Sequence, residues 1–198
     1  MKLFHYHYWT EQVEEMEQFY VENGFSVTGR FAKGKTYHPP LTWDDFREEE
    51  PVFRIIEVRR GKVNVTFGAG KKPIFDHIGY LVNFDEHDHL CKRAEQFGWN
   101  VQKNERRTFL STPFGLRVEL QVRREVVEEE DFEIRNMLIE TKKIEGLAEF
   151  RQLFQDADGN VEFVRGKSQL LREIGIEHCC QPISIIDPCG VKLRIGKG

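Results

Sequence analysis

The order strand, helix, strand, strand, strand occurs twice in the first 122 residues of this 198-residue chain, and that repeat restricts the fold more than any other feature. Two such four-stranded sheets, each with its helix outside, can curve around a shared cavity. Residues 3–9 alternate, with Leu3, His5, His7 and Trp9 on one face and Phe4, Tyr6 and Tyr8 on the other, which is the period of a strand. Thr10 is placed to cap a helix in which Val13, Met16, Phe19 and Tyr20 recur at helical spacing until Asn23-Gly24 stops it. Strands follow at 25–31, 52–58 and 62–67, and residues 32–51, with Gly34, Pro39, Pro40 and an acidic run, predict a long loop between the first two.

The second unit opens with a strand at 75–82. Asp85 is the expected cap of a helix over 86–96, in which Leu90, Ala94 and Phe97 form the apolar face and after which Gly98 breaks the pattern. Short strands are expected at 101–104, 108–111 and 116–122. Beyond a charged run at 123–131 the pattern returns less regularly: strand 132–141, helix 144–154, strand 160–165, a helical turn within 167–173, and strands 183–187 and 191–195. This organisation predicts a two-module domain over 1–124, a charged linker over 125–131 and a degenerate third module over 132–198.

Hydrophobic residues make up 39% of the chain and sixteen residues are Phe, enough for a packed core despite a charged fraction of 31%. The 29 basic and 33 acidic residues leave a formal charge of −4, which supplies no electrostatic footprint for nucleic acid. No apolar run approaches the roughly 18 to 20 residues of a membrane span, and residues 1–10 lack the apolar stretch of a signal peptide. A cytoplasmic protein with a small-molecule substrate, and with neither a nucleic acid nor a membrane as partner, is expected. The cysteines Cys91, Cys179, Cys180 and Cys189 are too few and too clustered for a disulfide framework, and Cys179-Cys180 beside His178 lacks zinc-site spacing.

Three segments carry the candidate chemistry. His5 precedes Phe19-Tyr20 by fourteen residues. Phe75-Asp76-His77-Ile78-Gly79-Tyr80-Leu81-Val82 opens the second unit, and Thr112-Pro113-Phe114-Gly115-Leu116-Arg117-Val118-Glu119-Leu120 closes it. With these segments the βαβββ repeat resembles the vicinal oxygen chelate superfamily, which includes glyoxalases, extradiol dioxygenases, fosfomycin-resistance thiol transferases, epimerases and bleomycin-binding proteins. The closing segment looks like that family's Asp-Pro-x-Gly-x-x-Ile-Glu-Leu motif, with Thr112 in place of Asp.

The resemblance implies an α+β fold in which paired βαβββ modules form curved mixed sheets around a cavity. It implies that His5, His77 and Glu119 hold one divalent metal ion, Fe(II) or Mn(II) by preference, with Zn(II) and Ni(II) admitted. A homodimer is admitted too, because paired modules in this superfamily are often completed across one. Strand alternation agrees with the ligand set: His5 and His7, His77 and Gly79, and Arg117, Glu119 and Gln121 face the cavity, while Phe4, Tyr6, Tyr8, Ile78, Tyr80, Val118 and Leu120 pack under the helices. Two imidazoles and one carboxylate leave coordination positions open for substrate, water or dioxygen.

Other readings stay open in the sequence. His7 shares the face of His5, so it is either the ligand in its place or an orienting neighbour or catalytic base. Glu57 is the carboxylate available for a fourth ligand of the glyoxalase kind, one strand before the position that family uses; the strand at 62–67 offers Asn64 and Thr66. Arg106-Arg107 is either an anion-binding pair or a surface turn. In the last third, Asn136 precedes Phe150 by the same fourteen residues, and 187–195 resembles the closing motif with Arg194 at the Glu position, a pattern without metal ligands. The expected function is that of a metal-dependent, dioxygenase-like enzyme acting on a small oxygen-bearing substrate. The alternatives are a lyase or isomerase of the glyoxalase or epimerase type, a thiol transferase, and a non-catalytic binding protein of the bleomycin-resistance kind.

Overall fold

The computed structural model describes residues 1–34, 41–48 and 51–197. Residues 35–40 and 49–50 of the expected long loop, Pro39 and Pro40 included, lie outside the described residues; its described part contains a short 3-10 helix, Asp44–Arg47. The first unit consists of β1 (Lys2–Thr10), α1 (Val13–Glu22), β2 (Ser26–Ala32), β3 (Phe53–Arg60) and β4 (Val63–Ala69). The second consists of β5 (Ile74–Leu81), α2 (Phe84–Gln96), β6 (Asn100–Lys103), β7 (Thr108–Ser111) and β8 (Arg117–Gln121).

In both units the first strand pairs in parallel with the last, β1 with β4 and β5 with β8. Antiparallel pairing of β1 with β5 then fuses the two into one eight-stranded sheet of order β2-β3-β4-β1-β5-β8-β7-β6. This central pair is decisive for the site, because it brings the two histidine strands side by side.

Local chemistry differs from expectation at both helix starts. α2 is capped by Asn83, two residues before Asp85: Asn83 Oδ1 accepts from the Glu86 N–H at 2.8 Å, and Glu86 Oε2 accepts from the Asn83 N–H at 2.8 Å. Thr10 remains in β1, its hydroxyl accepting from the Gln12 N–H at 3.1 Å, and α1 starts at Val13 without a side-chain cap. A register shift between Leu3 and His5 also turns Phe4 away from the helices, into a small cluster with Leu81 and Val126 beside the His5 ring. Leu3 takes the place in the main core that alternation assigns to Phe4.

The rest of the chain forms β9 (Glu133–Thr141), α3 (Leu147–Phe154), β10 (Asn160–Arg165), β11 (Leu170–Glu177), β12 (Ile183–Ile186) and β13 (Lys192–Gly196). The helical turn expected within 167–173 is instead the start of β11. A bulge between Leu171 and Glu173 puts Leu171 and Ile174 on the same buried face, and their spacing of three imitates a helix. These strands form a second sheet of order β10-β9-β11-β13-β12.

The second sheet repeats the centre of the first. β9 and β11 are the antiparallel middle pair, flanked by the parallel partners β10 and β13. Its registers match as well: Asn136 faces Gly175, and Gly175 faces Arg194, as His5 faces Gly79 and Gly79 faces Glu119.

One face of each sheet contributes to a single apolar core that also takes in the three helices. Tyr80 stacks on Phe154 with ring centroids 4.5 Å apart, and Tyr8 donates to the Leu171 carbonyl oxygen at 3.4 Å. Deeper in, the Tyr6 and Tyr20 hydroxyls lie 2.7 Å apart, and Tyr20 donates to Asp187 Oδ2 at 3.1 Å. That polar chain runs from β1 through α1 to the turn before β13. Each of its groups is partnered, as buried polar groups must be.

Candidate metal centre

The opposite face of the eight-stranded sheet carries a row of buried polar side chains: His5, His7, Asn64, Thr66, His77, Glu119 and Gln121. Their burial is unusual for such residue types and requires partners. One ligand atom each from His5, His77 and Glu119 lies within 4.8 Å of the other two. The Nε2 atoms of His5 and His77 are 3.2 Å apart, and His77 Nε2 is 3.4 Å from Glu119 Oε2.

Outer partners determine what these atoms can do. His5 Nδ1 lies 2.9 Å from both the carbonyl oxygen and the Oδ1 of Asn64, whose own amide donates to the Val126 carbonyl. Both neighbours are acceptors, so Nδ1 of His5 carries the proton. His77 Nδ1 lies 2.7 Å from Asp76 Oδ2, which assigns it a proton on the same ground. The two Nε2 lone pairs and the Glu119 oxygen therefore converge as acceptors. A proton satisfies one pair among them; a divalent cation satisfies all three. The donor set thus fits a metal ion, and each imidazole is oriented from behind by an oxygen acceptor, the usual support of a metal-binding histidine.

The electrostatics point the same way. Burial, opposed by the Glu119 charge, lowers His5 to a pKa of about 4, so its imidazole is neutral at neutral pH. Burial alone would raise Glu119, but its neighbours, His77 first and the Arg107 guanidinium among them, hold it down to about 2. Metal ligands must be deprotonated, and these two need no proton removed near pH 7.

His7 is near but does not join the convergence. Its ring stacks on His77 at 5.0 Å, Nδ1 lies 2.6 Å from Thr66 Oγ1, and Nε2 is buried without a hydrogen-bond partner among the described residues. Burial and then His77 push its pKa well below the ordinary histidine value. Between the two histidines of β1, the geometry brings His5 to the cluster.

Glu57 does not reach it either. Register places Glu57 opposite Thr66, and Thr66 opposite His7, so Glu57 lies on the same row with β4 in between. Its carboxylate accepts from Thr28 Oγ1 at 2.7 Å and from Arg59 Nε at 2.6 Å. By the repeat, Thr66 on β4 is the counterpart of Glu119 on β8, so the first unit offers a hydroxyl where a fourth carboxylate would stand.

Sequence reasoning passed over two contributors. Asp76 precedes His77 directly, and strand alternation assigns it to the other face, yet its carboxylate curls back onto the imidazole. Phe109 packs edge-on to His77 at 5.1 Å. Arg107, which the sequence offered as part of an anion-binding pair or of a surface turn, reaches in from the loop before β7, its NH1 3.1 Å from Glu119 Oε2. Gly79 has a local role: a Cβ there would lie 2.8 Å from the His5 Cβ, so only glycine lets His5 lie across β5. Gly175 does the same under Asn136, where a Cβ would come within 2.6 Å of its Oδ1. On the second sheet, however, the ligand positions hold Asn136, Glu173 and Arg194, and Arg194 Nε pairs with Glu173 at 2.7 Å.

This arrangement of sheets is shared with known structures. The chain superposes on 2,2',3-trihydroxybiphenyl 1,2-dioxygenase from Sphingomonas wittichii strain RW1 with a TM-score of 0.67 and 11% identity, covering 100% of this chain and 90% of that one. A 2,3-dioxygenase from Pseudomonas sp. KL28 gives 0.68 and 11%, covering 100% and 92%. The Mn(II)-bound glyoxalase from Novosphingobium aromaticivorans gives 0.67 and 11%, covering 99% and 82%. No protein-family model matches the chain. No curated protein matches it. Extradiol dioxygenases and glyoxalases are vicinal oxygen chelate proteins, and the α+β architecture found here, with thirteen strands in two mixed sheets and three helices among the described residues, is the vicinal oxygen chelate fold. No described helix is long and apolar enough to cross a membrane.

Proposed function

We propose that the chain is a metal-dependent enzyme of the vicinal oxygen chelate type, in which His5, His77 and Glu119 hold one divalent ion, Fe(II) or Mn(II) by preference, and that its activity is dioxygenase-like. The observation that carries this reading is the convergence of three acceptors whose protons are committed elsewhere, His5 Nδ1 to Asn64 and His77 Nδ1 to Asp76. When bound, the ion would supply Lewis acidity to oxygen atoms of a small substrate. The chain's own residues do the remaining work. Asn64 and Asp76 keep both imidazoles in the tautomer that presents Nε2. Buried His7, with a free Nε2 and Thr66 on Nδ1, is the group placed to take or return a substrate proton. Phe109 and the Phe4 cluster exclude water from the ligand atoms.

Thr66 at the counterpart of Glu119 favours three protein ligands over four, and so a dioxygenase over a glyoxalase. The test is reconstitution of untagged protein with Fe(II), Mn(II), Zn(II) and Ni(II) in turn, followed by elemental analysis, oxygen uptake with catechols and turnover of lactoylglutathione-type substrates. One tightly held ion with oxygen uptake supports the proposal. Tight metal with glyoxalase turnover moves the activity to the lyase class, and failure to retain any ion leaves a binding protein.

A further inference from the structure

Every candidate ligand is at least nine-tenths buried, and two half-exposed arginines lie against the acidic groups beside them. The Arg107 side chain is 41% exposed and touches Glu119; the Arg117 side chain is 37% exposed and touches Asp76. Both guanidinium groups lie over the ring of Phe109, at 5.4 Å for Arg107 and 4.1 Å for Arg117, and Phe109 packs against His77. The pair therefore stands beside the candidate ligands on the Phe109 side of the site. Each guanidinium has five N–H donors. Among the described residues, Arg107 uses only NH1, toward Glu119, and Arg117 uses only NH1, toward Asp76. Their Nε and NH2 donors have no acceptor there.

The carboxylates that face these arginines are engaged elsewhere, Glu119 toward the metal position and Asp76 toward His77. With the site loaded, one divalent ion and two guanidinium groups stand against two carboxylates, an excess of two positive charges around neutral imidazoles. A neutral substrate would leave that excess unmatched at the half-exposed guanidinium groups, whereas an anionic one would meet it. A carboxylate matches the free edge of a guanidinium through two parallel hydrogen bonds. Resting on the metal-site reading, we propose that Arg107 and Arg117 select a substrate that carries a carboxylate in addition to its metal-binding oxygens. Arg107 is the specificity-determining residue, because its one partner is a candidate metal ligand.

Calorimetric titration of Mn(II)-reconstituted protein with 3,4-dihydroxybenzoate and with its neutral amide, 3,4-dihydroxybenzamide, tests this by binding alone. The acid is expected to bind at least tenfold more tightly than the amide. In Arg107→Met that preference should fall below threefold while one Mn(II) per chain is retained, and Arg107→Lys should restore part of it. Equal affinities in the parent protein, absence of binding by both compounds, or a preference that survives in Arg107→Met and in Arg117→Met overturns the proposal. If Mn(II) itself is not held, the metal-site reading falls and this inference with it; if Mn(II) is held without the preference, this inference falls alone.

Discussion

His5 and His77 stand on adjacent antiparallel strands with their Nε2 atoms 3.2 Å apart, and each ring's other nitrogen is held by an oxygen acceptor. Two bare imidazole nitrogens at that separation repel unless a cation lies between them. His5→Ala, His77→Ala and Glu119→Ala should each lower metal affinity beyond the roughly 10- to 100-fold that loss of an outer partner costs. Competition with a chelator of known affinity measures this. In the parent protein, metal at 100 times its Kd should add about 2.7 kcal/mol to folding stability, and the three variants should lose that increment in thermal melts.

The Asp76 carboxylate, 2.7 Å from His77 Nδ1, sets the tautomer and the ring angle without touching the metal position. Asp76→Asn should weaken metal binding by roughly 10- to 100-fold while the fold persists. Circular dichroism alongside the chelator titration separates the two effects. Retention of full affinity would show that His77 needs no support.

Glu57 is bound to Thr28 and Arg59, and β4 stands between it and the cluster. Glu57→Gln should leave metal stoichiometry and affinity as they are, because its carboxylate is bound away from the cluster. Loss of the metal in this variant would make Glu57 a ligand.

Gly79→Ala puts a Cβ 2.8 Å from the His5 Cβ and 3.0 Å from Phe4 Cε1. Overpacking of this kind costs about 1–3 kcal/mol, and here it displaces a ligand as well. Chemical denaturation should show the destabilisation and the chelator titration a lower metal affinity.

Burial raises the Asp187 carboxyl from an ordinary 3.8 to about 6, although the Val191 amide and the Tyr20 hydroxyl donate to it. Between those values the folded protein keeps a proton that the unfolded chain has released. The Asp187 contribution to stability should therefore be full below about pH 4 and fall by roughly 3 kcal/mol as pH rises through 6, while buried neutral His5 contributes with the opposite sign between about pH 4 and 6.5. Urea denaturation of the parent protein and of Asp187→Asn at a series of pH values isolates the Asp187 part, as a stability difference between the two that changes by that amount across this window.

Much of this was legible in the chain because it depends on period. Alternation on β1 and β8 separates His5 and Glu119 from Tyr6, Val118 and Leu120, and the spacing of Met16 and Tyr20 marks a helix. Where a bulge breaks the period, the reading broke with it. Phe4 left the core and Leu3 entered it at one bulge, and Leu171 and Ile174 imitated a helix at another. The cap on α2 moved from Asp85 to Asn83 because Asn83 and Glu86 satisfy each other's backbone N–H, a reciprocity that a single capping residue does not reveal.

The sequence by itself determined the repeated module, the residue types of the candidate ligand set and the absence of a carboxylate on β4, since each is carried by short-range pattern. Tertiary structure decided how those pieces meet. Pairing of β1 with β5 chose His5 over His7, the turn of a side chain brought Asp76 behind His77, and a loop carried Arg107 onto Glu119. These are contacts between residues 12 to 72 positions apart, or against the strand period, and they arise from sheet register and loop path. The last third follows the same logic: its pattern suggested one degenerate third module, but only the pairing of β9 with β11 revealed that this segment rebuilds the centre of the first sheet with Glu173 and Arg194 where His77 and Glu119 stand.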